Sequence, residues 1–266
     1  MTIAFIGAGN MAGSLIRGLQ AGGYTADDIV AADPAQSQLD ALATLGISTT
    51  VNNAQAVAQA EIVVLAIKPQ ITGDVVQALP ALQPDQLVIS IVAGIDTRSL
   101  GDWLPVRQPI VRCMPNTPAR LGAGITGLYA NSWVTDIQHG AAEAILNGVG
   151  SSVWVSEESQ LDAVTAVSGS GPAYYFLLME SMIESAQALG LDATASRRLV
   201  VETARGAALM ACEPKADPGT LRRNVTSPGG TTEAALKVMQ EENLSRIVDR
   251  ALGAAKQRAE ALATEF

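Results

Sequence analysis

The spacing of apolar and polar positions changes once along the chain. Up to about residue 155, short β-branched runs alternate with Ala- and Leu-rich segments in which apolar residues recur at helical spacing. The predicted strands are residues 3–6, 29–32, 62–67, 87–92 and 110–114, with two more near 125–129 and 153–155. The predicted helices among them are residues 11–21, 36–45 and 71–82. This alternation is typical of a parallel sheet covered by helices on both faces.

After residue 156 the pattern predicts helices alone. From Tyr175 to Leu189, apolar residues keep the spacing of an amphipathic helix, which we expect to end at Gly190. Further helices are predicted over residues 193–212, after the turn at 227–230, and over 244–263. We therefore predict an α/β fold, with a Rossmann-type, doubly wound parallel sheet in residues 1–156 and an all-α domain in residues 157–266.

The first predicted strand runs directly into the sequence G-A-G-N-M-A, which fits the dinucleotide-binding pattern G-x-G-x-x-A. Gly7 would permit the tight turn, Gly9 would let the backbone approach a pyrophosphate, and Ala12 would allow close helix–strand packing. The free N–H groups of the following helix would then bind the phosphates. A purely structural turn is the alternative, but the strand before it and Asp33 at the expected separation favour a dinucleotide site.

Two further polar residues follow predicted strands. A carboxylate at Asp33 would accept hydrogen bonds from a ribose 2′-hydroxyl and repel a 2′-phosphate, which favours NADH over NADPH. The alternative is a helix cap, because Asp33 and Pro34 also fit the start of a helix. Lys68 follows a strand end, where open α/β sheets bind ligands, and its alternative is a solvated loop lysine.

Composition narrows the function classes. A net charge of −9 disfavours nucleic acid and anionic membrane surfaces as partners, because both require clusters of Lys and Arg. His139 is the only histidine, and Cys113 and Cys212 lie far apart, so we expect neither a Ser-His-Asp triad nor a metal site. With no basic leader and no apolar run long enough to span a bilayer, we expect a cytoplasmic protein with reduced thiols.

Two segments of the second half differ from ordinary packing sequence. The sequence V-S-G-S-G-P-A at residues 167–173 places two glycines and a proline within a helical stretch. The sequence N-V-T-S-P-G-G-T-T at residues 224–232 is a polar turn that opens a helix. Gly-Gly supplies unusual backbone angles, and the N–H groups there can converge on an anion. For either segment alone, the alternative is a helix kink or a capped helix start.

Taken in order, the segments G-A-G-N-M-A, A-I-K-P, M-P-N-T-P, S-G-S-G-P-A-Y and V-T-S-P-G-G-T-T resemble the pyrroline-5-carboxylate reductases. The resemblance extends from residue 3 to roughly residue 250. It implies that the chain reduces 1-pyrroline-5-carboxylate to L-proline, the last step of proline biosynthesis, with NADPH or NADH. It also implies that the helical domain binds the substrate and forms an interlocked homodimer, often assembled into larger rings.

The resemblance also assigns roles to individual residues. The proton-donating threonine of the family falls on Thr232, and the substrate loop falls on Ser227, Gly230, Thr231 and Thr232. Many members have a smaller or neutral residue at the position of Asp33, so a preference for NADPH is not carried over to this chain. The predicted cofactor contacts are Ile6, Gly7, Ala8, Gly9, Asn10, Met11, Asp33, Asn53, Ala66, Ile67, Lys68, Pro69, Ile91, Val92, Ala93 and Asn116.

The chemistry of a cyclic imine sets modest demands on these residues. Because solvent can protonate such an imine near neutral pH, no strong protein acid is needed, and Thr232 would hydrogen-bond the nitrogen and relay a proton from water. We expect the substrate carboxylate to bind the N–H groups of Gly230 and Thr231, with Ser227 as a side-chain donor.

Three other functions share parts of this pattern. A β-hydroxyacid dehydrogenase also has a Rossmann half followed by helices, but it depends on a catalytic lysine, and no lysine follows the S-G-S-G segment by one or two helical turns. A deazaflavin-linked reductase shares the first domain, but that function would assign no role to the turn at Ser227. A catalytically silent nucleotide sensor would not need Ser227, Gly230 and Thr232 together.

Overall fold

The computed structural model describes residues 1–104, 107–213, 215 and 217–263. Contacts within the chain divide it into two compact units. The first unit is Met1–Ser170 together with Ala254–Phe266, and the second is Gly171–Gly253. The domain boundary expected between residues 156 and 157 stays a prediction.

The first unit is built on an eight-stranded sheet in the order β3-β2-β1-β4-β5-β6-β7-β8. The strands are β1 (Ile3–Ile6), β2 (Ile29–Ala32), β3 (Ser48–Thr50), β4 (Ile62–Leu65), β5 (Leu87–Ser90), β6 (Ile110–Met114), β7 (Gly124–Ala130) and β8 (Gly150–Trp154). The first six strands are mutually parallel, β7 runs antiparallel to β6, and β8 is parallel to β7. This arrangement confirms the predicted fold class, although the reversal at β7 is not indicated by the apolar pattern.

Twelve α-helices lie within the described residues. They are α1 (Asn10–Ala21), α2 (Gln36–Ala43), α3 (Asn53–Val57), α4 (Pro69–Gln77), α5 (Thr97–Trp103), α6 (Asp136–Asn147), α7 (Gln160–Val164), α8 (Gly171–Ala188), α9 (Ala193–Ala211), α10 (Pro218–Asn224), α11 (Thr231–Glu241) and α12 (Leu244–Leu262). Apolar periodicity predicts the helices α1, α2, α4, α8, α9, α11 and α12. It predicts neither the strand β3 nor the helices α3, α5, α6, α7 and α10. Most of these are too short for two helical turns to establish a period.

Alternate residues of β1 show why the strands are apolar throughout. Ile3 and Phe5 belong to one buried cluster, which includes residues of α1 and α6. Ala4 and Ile6 belong to a second cluster on the opposite face of the sheet. Successive side chains of a strand point to opposite faces, so a sheet covered on both faces requires an unbroken apolar run. The same layering brings the carboxyl ends of the parallel strands to one edge.

In the part of the second unit that the structure describes, all regular elements are helices, and much of their apolar surface is exposed. Consecutive residues of α8 are more than half exposed, namely Tyr175, Phe176, Leu177 and Leu178. Other large apolar residues exposed in this unit include Leu199 on α9, Val238 on α11 and Ile247 on α12. A monomer rarely leaves so large an apolar patch in water, which marks it as an interaction surface. No helix among the described residues has the length and apolar character needed to cross a membrane.

Candidate active site

Two loops meet at the carboxyl edge of the sheet, between β1 and β4, where the strand order reverses. Gly7 follows β1 with a φ of 100°, and its N–H donates to the Ala32 carbonyl oxygen at 2.8 Å. A Cβ placed on Gly7 would overlap the carbonyl oxygen of Ala66 and lie 3.0 Å from Cγ2 of Ile67. The tight turn predicted at Gly7 is therefore confirmed. In addition, the glycine allows the first loop to touch the A-I-K-P segment directly.

The start of α1 is open. Gly9 occupies the N-cap position with an ordinary φ of −72°, and none of the described side chains caps the helix. The N–H of Gly13 donates to the Gly9 carbonyl oxygen at 2.9 Å, so the amides of the preceding turn have no partner within the helix. A Cβ placed on Gly9 would meet no atom within 4 Å. Open space beside free N–H groups at the positive end of a helix fits the pyrophosphate of a dinucleotide.

Asp33, just past β2, links the glycine-rich turn to the next loop. Its Oδ2 accepts a hydrogen bond from the Ala8 N–H at 2.9 Å, and its Oδ1 accepts one from the Ala35 N–H at 2.8 Å. The helix-cap alternative is wrong, because α2 begins at Gln36 with Ala35 in the cap position. Each carboxylate oxygen retains a second lone pair. Asp33 thus supports the turn and still has acceptor capacity for a ribose hydroxyl.

The remaining cofactor candidates of this unit follow the ends of neighbouring parallel strands. Lys68 is exposed in the N-cap position of α4, directly before Pro69. Asn53 begins α3, which is capped by the side chain of its neighbour Asn52. After β5, the Ile91 N–H donates to the carbonyl oxygen of Leu65 at the end of β4. All of them lie at the edge where open α/β sheets bind ligands.

Asn116, after β6, ties together two segments of the same unit. Its Nδ2 donates to the Ser168 carbonyl oxygen at 3.1 Å, and its Oδ1 accepts from the Ile125 N–H at 3.0 Å. Ser168 belongs to a π-helical turn, Thr165–Gly169, that joins α7 to α8. The interpretation of this glycine-rich segment as a helix distortion is confirmed. The contact of Asn116 with the nicotinamide stays a prediction.

A partly buried ion pair of the first unit was not among the predicted features. Nη1 of Arg112 lies 3.2 Å from Oε1 of Glu158, and the two side chains are 10% and 21% exposed. Burial raises the pKa of the nearby Asp162 carboxyl, and Arg112 partly opposes that shift. The available sequence signal is an arginine within the apolar strand I-V-R-C-M, since a buried cation requires a partner. In the described ranges, no group of three or more His, Cys, Asp or Glu could hold a metal ion.

In the second unit, a turn opens α11. Gly229 has a φ of 69°, as the G-G pattern predicts, and its N–H donates to Oε2 of Glu233 at 2.7 Å. Gly230 is the N-cap, and its N–H donates to the Ser227 carbonyl oxygen at 3.0 Å. This bond engages the Gly230 N–H within the turn, and the expected contact of that group with the substrate stays a prediction. Among the described residues, the first-turn amides of Thr231 and Thr232 have no such partner.

A cavity of about 630 Å³ lies beside this turn within the second unit. Its lining includes the cations Arg222, Arg223 and Lys237, together with Gly230 and Glu233. Of the four predicted substrate residues, Gly230 alone lines it. Thr232 is half-buried on another part of the helix start. The cationic lining gives the region around the turn a field that attracts small anions.

Comparisons with known proteins cover nearly the whole chain. A family model described as pyrroline-5-carboxylate reductase dimerisation matches residues 158–262. A second model, described as NADP oxidoreductase coenzyme F420-dependent, matches residues 2–94. The chain is 52% identical to a pyrroline-5-carboxylate reductase of Pseudomonas aeruginosa, over 99% of this chain and 97% of that protein.

Solved structures give the same relationship. A pyrroline-5-carboxylate reductase from Coxiella burnetii superimposes with a TM-score of 0.95 and 43% identity, covering 98% of each chain. A Plasmodium falciparum pyrroline carboxylate reductase with NADP bound superimposes with a TM-score of 0.86 and 27% identity, covering 99% of this chain and 98% of that one.

Proposed function

This chain belongs to the pyrroline-5-carboxylate reductase family, and we propose how its own residues contribute to the NAD(P)H-dependent reduction of 1-pyrroline-5-carboxylate to proline. Two groups must be held for this reaction, a dinucleotide pyrophosphate and a substrate carboxylate. Each corresponds to an open helix start described above, one in each unit.

The first unit holds the dinucleotide. The N–H groups that begin α1 bind the pyrophosphate, and Gly9 leaves the space that the phosphates need. Gly7 keeps this turn in contact with Ala66, which places the residues after β4 beside it. When bound, NADH or NADPH supplies the hydride for the imine carbon. The other cofactor candidates, from Asp33 to Asn116, line the same edge.

Asp33 favours NADH over NADPH. Its carboxylate is held by two backbone N–H groups, so it cannot turn away from a ligand without breaking them. A fixed negative charge repels a 2′-phosphate and accepts hydrogen bonds from a 2′-hydroxyl. In addition, the sequence contains no Lys or Arg between Arg17 and Lys68 to neutralise such a phosphate.

The second unit holds the substrate. The N–H groups of Thr231 and Thr232 bind the carboxylate of the ring, and the exposed hydroxyl of Ser227 adds a donor. The hydroxyl of Thr232 hydrogen-bonds the ring nitrogen and relays a proton to it from water as the imine is reduced. Gly230 contributes by setting the direction of the helix start, because its own N–H is engaged.

The uncapped start of α11, within the segment that carries the family resemblance, is the observation that supports this assignment best. The test is the oxidation of NADH and of NADPH by purified protein, followed by nicotinamide absorbance, with and without 1-pyrroline-5-carboxylate. We expect oxidation to require the imine and to yield proline in equal amount. Absence of imine-dependent oxidation with either dinucleotide would refute the proposal.

The chain acts on a small molecule and forms a homo-oligomer. We propose that the contact is made by the exposed apolar side chains of α8, α9, α11 and α12, whose burial would stabilise a dimer. A cytoplasmic location and the lack of nucleic-acid and membrane partners stay predictions from composition.

A further inference from the structure

The carboxylate of Glu158 makes an unusually complete set of bonds for a residue in a connecting loop. Its Oε1 accepts from the Thr97 N–H at 2.8 Å and from Nη1 of Arg112 at 3.2 Å. Its Oε2 accepts from the Thr97 hydroxyl at 2.6 Å. These partners lie 61 and 46 positions away along the chain. Glu158 thus joins three distant segments of the first unit.

Thr97 is the first residue of α5 and directly follows the β5–α5 loop (residues 91–96). At its other end, this loop is held by the Ile91 N–H, which donates to Leu65, and by the Val92 N–H, which donates to Oγ of Ser90. Gly94, in the middle, has a φ of 78° and reverses the chain. The first three loop residues are predicted cofactor contacts. Their position is therefore set by the bonds at both ends of the loop.

Arg112 connects Glu158 to the centre of the sheet. It lies on β6 directly opposite Ser90 of β5 and is only 8% exposed. A cavity of about 30 Å³, large enough for a single water molecule, is lined by both Arg112 and residues of the loop. The lining of that cavity includes Val92, Ala93, Gly94, Arg112 and Asp162. The guanidinium of Arg112 is thus a fixed point of the scaffold directly beside the loop.

We propose that Glu158 is a positioning residue for the reduction, because it fixes the β5–α5 loop against β6 through Thr97 and Arg112. This inference rests on the proposed function, in which residues 91–93 contact the dinucleotide. Glu158 itself touches neither ligand. Its effect is to present those loop residues in the conformation that binds the dinucleotide, so that binding does not have to order the loop.

The test compares Glu158→Ala with Glu157→Ala, a matched control whose side chain is exposed on the adjacent residue. The dissociation constant of NADH is measured by its fluorescence without imine, and KM values and thermal midpoints are then measured. Glu158→Ala is expected to weaken NADH binding about tenfold, because binding must then order the loop that Glu158 no longer holds, and to leave the KM for the imine within about twofold. Glu158→Gln keeps an acceptor for Thr97 and should weaken binding only about threefold.

Unchanged NADH binding in Glu158→Ala, or an equal loss in Glu157→Ala, would overturn the proposal. If Glu158→Ala does not fold, Thr97→Val provides the test, because it removes only the hydroxyl that donates to Oε2 of Glu158. Unchanged NADH binding in Thr97→Val would then overturn the proposal. Because NADH binding is measured without the imine, the result for these variants does not depend on whether the chain reduces the imine. A wild-type protein that binds NADH but does not reduce the imine would refute the proposed function alone.

Discussion

The two glycines of the first turn should respond to the same substitution in opposite ways. Gly7 has a φ of 100° and lies against the Ala66 backbone, whereas Gly9 has a φ of −72° and faces open space. Alanine at position 7 therefore strains the fold. Alanine at position 9 is accepted by the fold but occupies the space assigned to the pyrophosphate. Each variant adds one methyl group, but Gly7→Ala should mainly lower stability, whereas Gly9→Ala should mainly weaken cofactor binding.

The size of each effect follows from these contacts. For Gly7→Ala, a left-handed backbone costs about 1–3 kcal/mol, and the displacement of the Ala66 carbonyl about 1–3 kcal/mol more. The sum, about 2–6 kcal/mol, is a large part of a typical stability of about 5–15 kcal/mol. For Gly9→Ala, we expect stability within about 0.5 kcal/mol of wild type. Loss of about two charge-assisted hydrogen bonds to phosphate would weaken dinucleotide binding by at least roughly a hundredfold.

Denaturant unfolding and NADH titration together test this reasoning. Gly7→Ala should unfold at a clearly lower denaturant concentration, and Gly9→Ala at the wild-type concentration. If Gly9→Ala bound NADH as tightly as wild type, the open start of α1 would not be the phosphate site. If Gly7→Ala were as stable as wild type, the close contact with Ala66 would not constrain the turn.

Three further predictions concern single side chains. Asp33→Ser should raise kcat/KM with NADPH relative to NADH, because it removes the charge that repels a 2′-phosphate, and an unchanged ratio would contradict this role. Thr232→Ala should lower turnover about ten- to a thousandfold while NADH affinity is kept, and the exposed Thr194→Ala of the same unit should be silent in both measurements. Burial raises the pKa of Asp162, so its ionised form disfavours the folded state once the pH exceeds the unfolded pKa. Asp162→Asn should therefore increase the thermal midpoint at neutral pH, and this gain should disappear below about pH 4, where the unfolded aspartate is protonated.

The parts of the fold that could be predicted from sequence are those that burial alone determines. The strands from β1 to β6 that lie inside the sheet are apolar on both faces except at Ser90 and Arg112, and their bounds follow the apolar runs within two residues. β3 lies at the edge of the sheet with partly exposed polar residues, so it lacks that signal. The direction of β7 depends on which neighbour it pairs with, and residue spacing does not carry that information.

In the candidate site too, features that depend on adjacent residues could be predicted, whereas contacts between residues far apart in the chain could not. The turns at Gly7 and Gly229 could be predicted because a glycine pattern and a left-handed backbone belong to the same residues. The role of Glu158 could not be predicted, because its partners Thr97 and Arg112 become neighbours only when the sheet forms. The bond from the Gly230 N–H to the Ser227 carbonyl oxygen could not be predicted either, because it depends on the conformation of the turn.

In the proposed dimer, burial of the exposed apolar helices of the second unit makes the stability of this protein depend on its concentration. A surface that is covered only by another copy contributes to stability in proportion to the logarithm of chain concentration. Dilution then favours the separate chains and lowers the free energy of unfolding. The unit formed by α8–α11 and the start of α12 should lose its protection from proteases first. A newly made chain gains its full resistance to degradation only when it meets a second one.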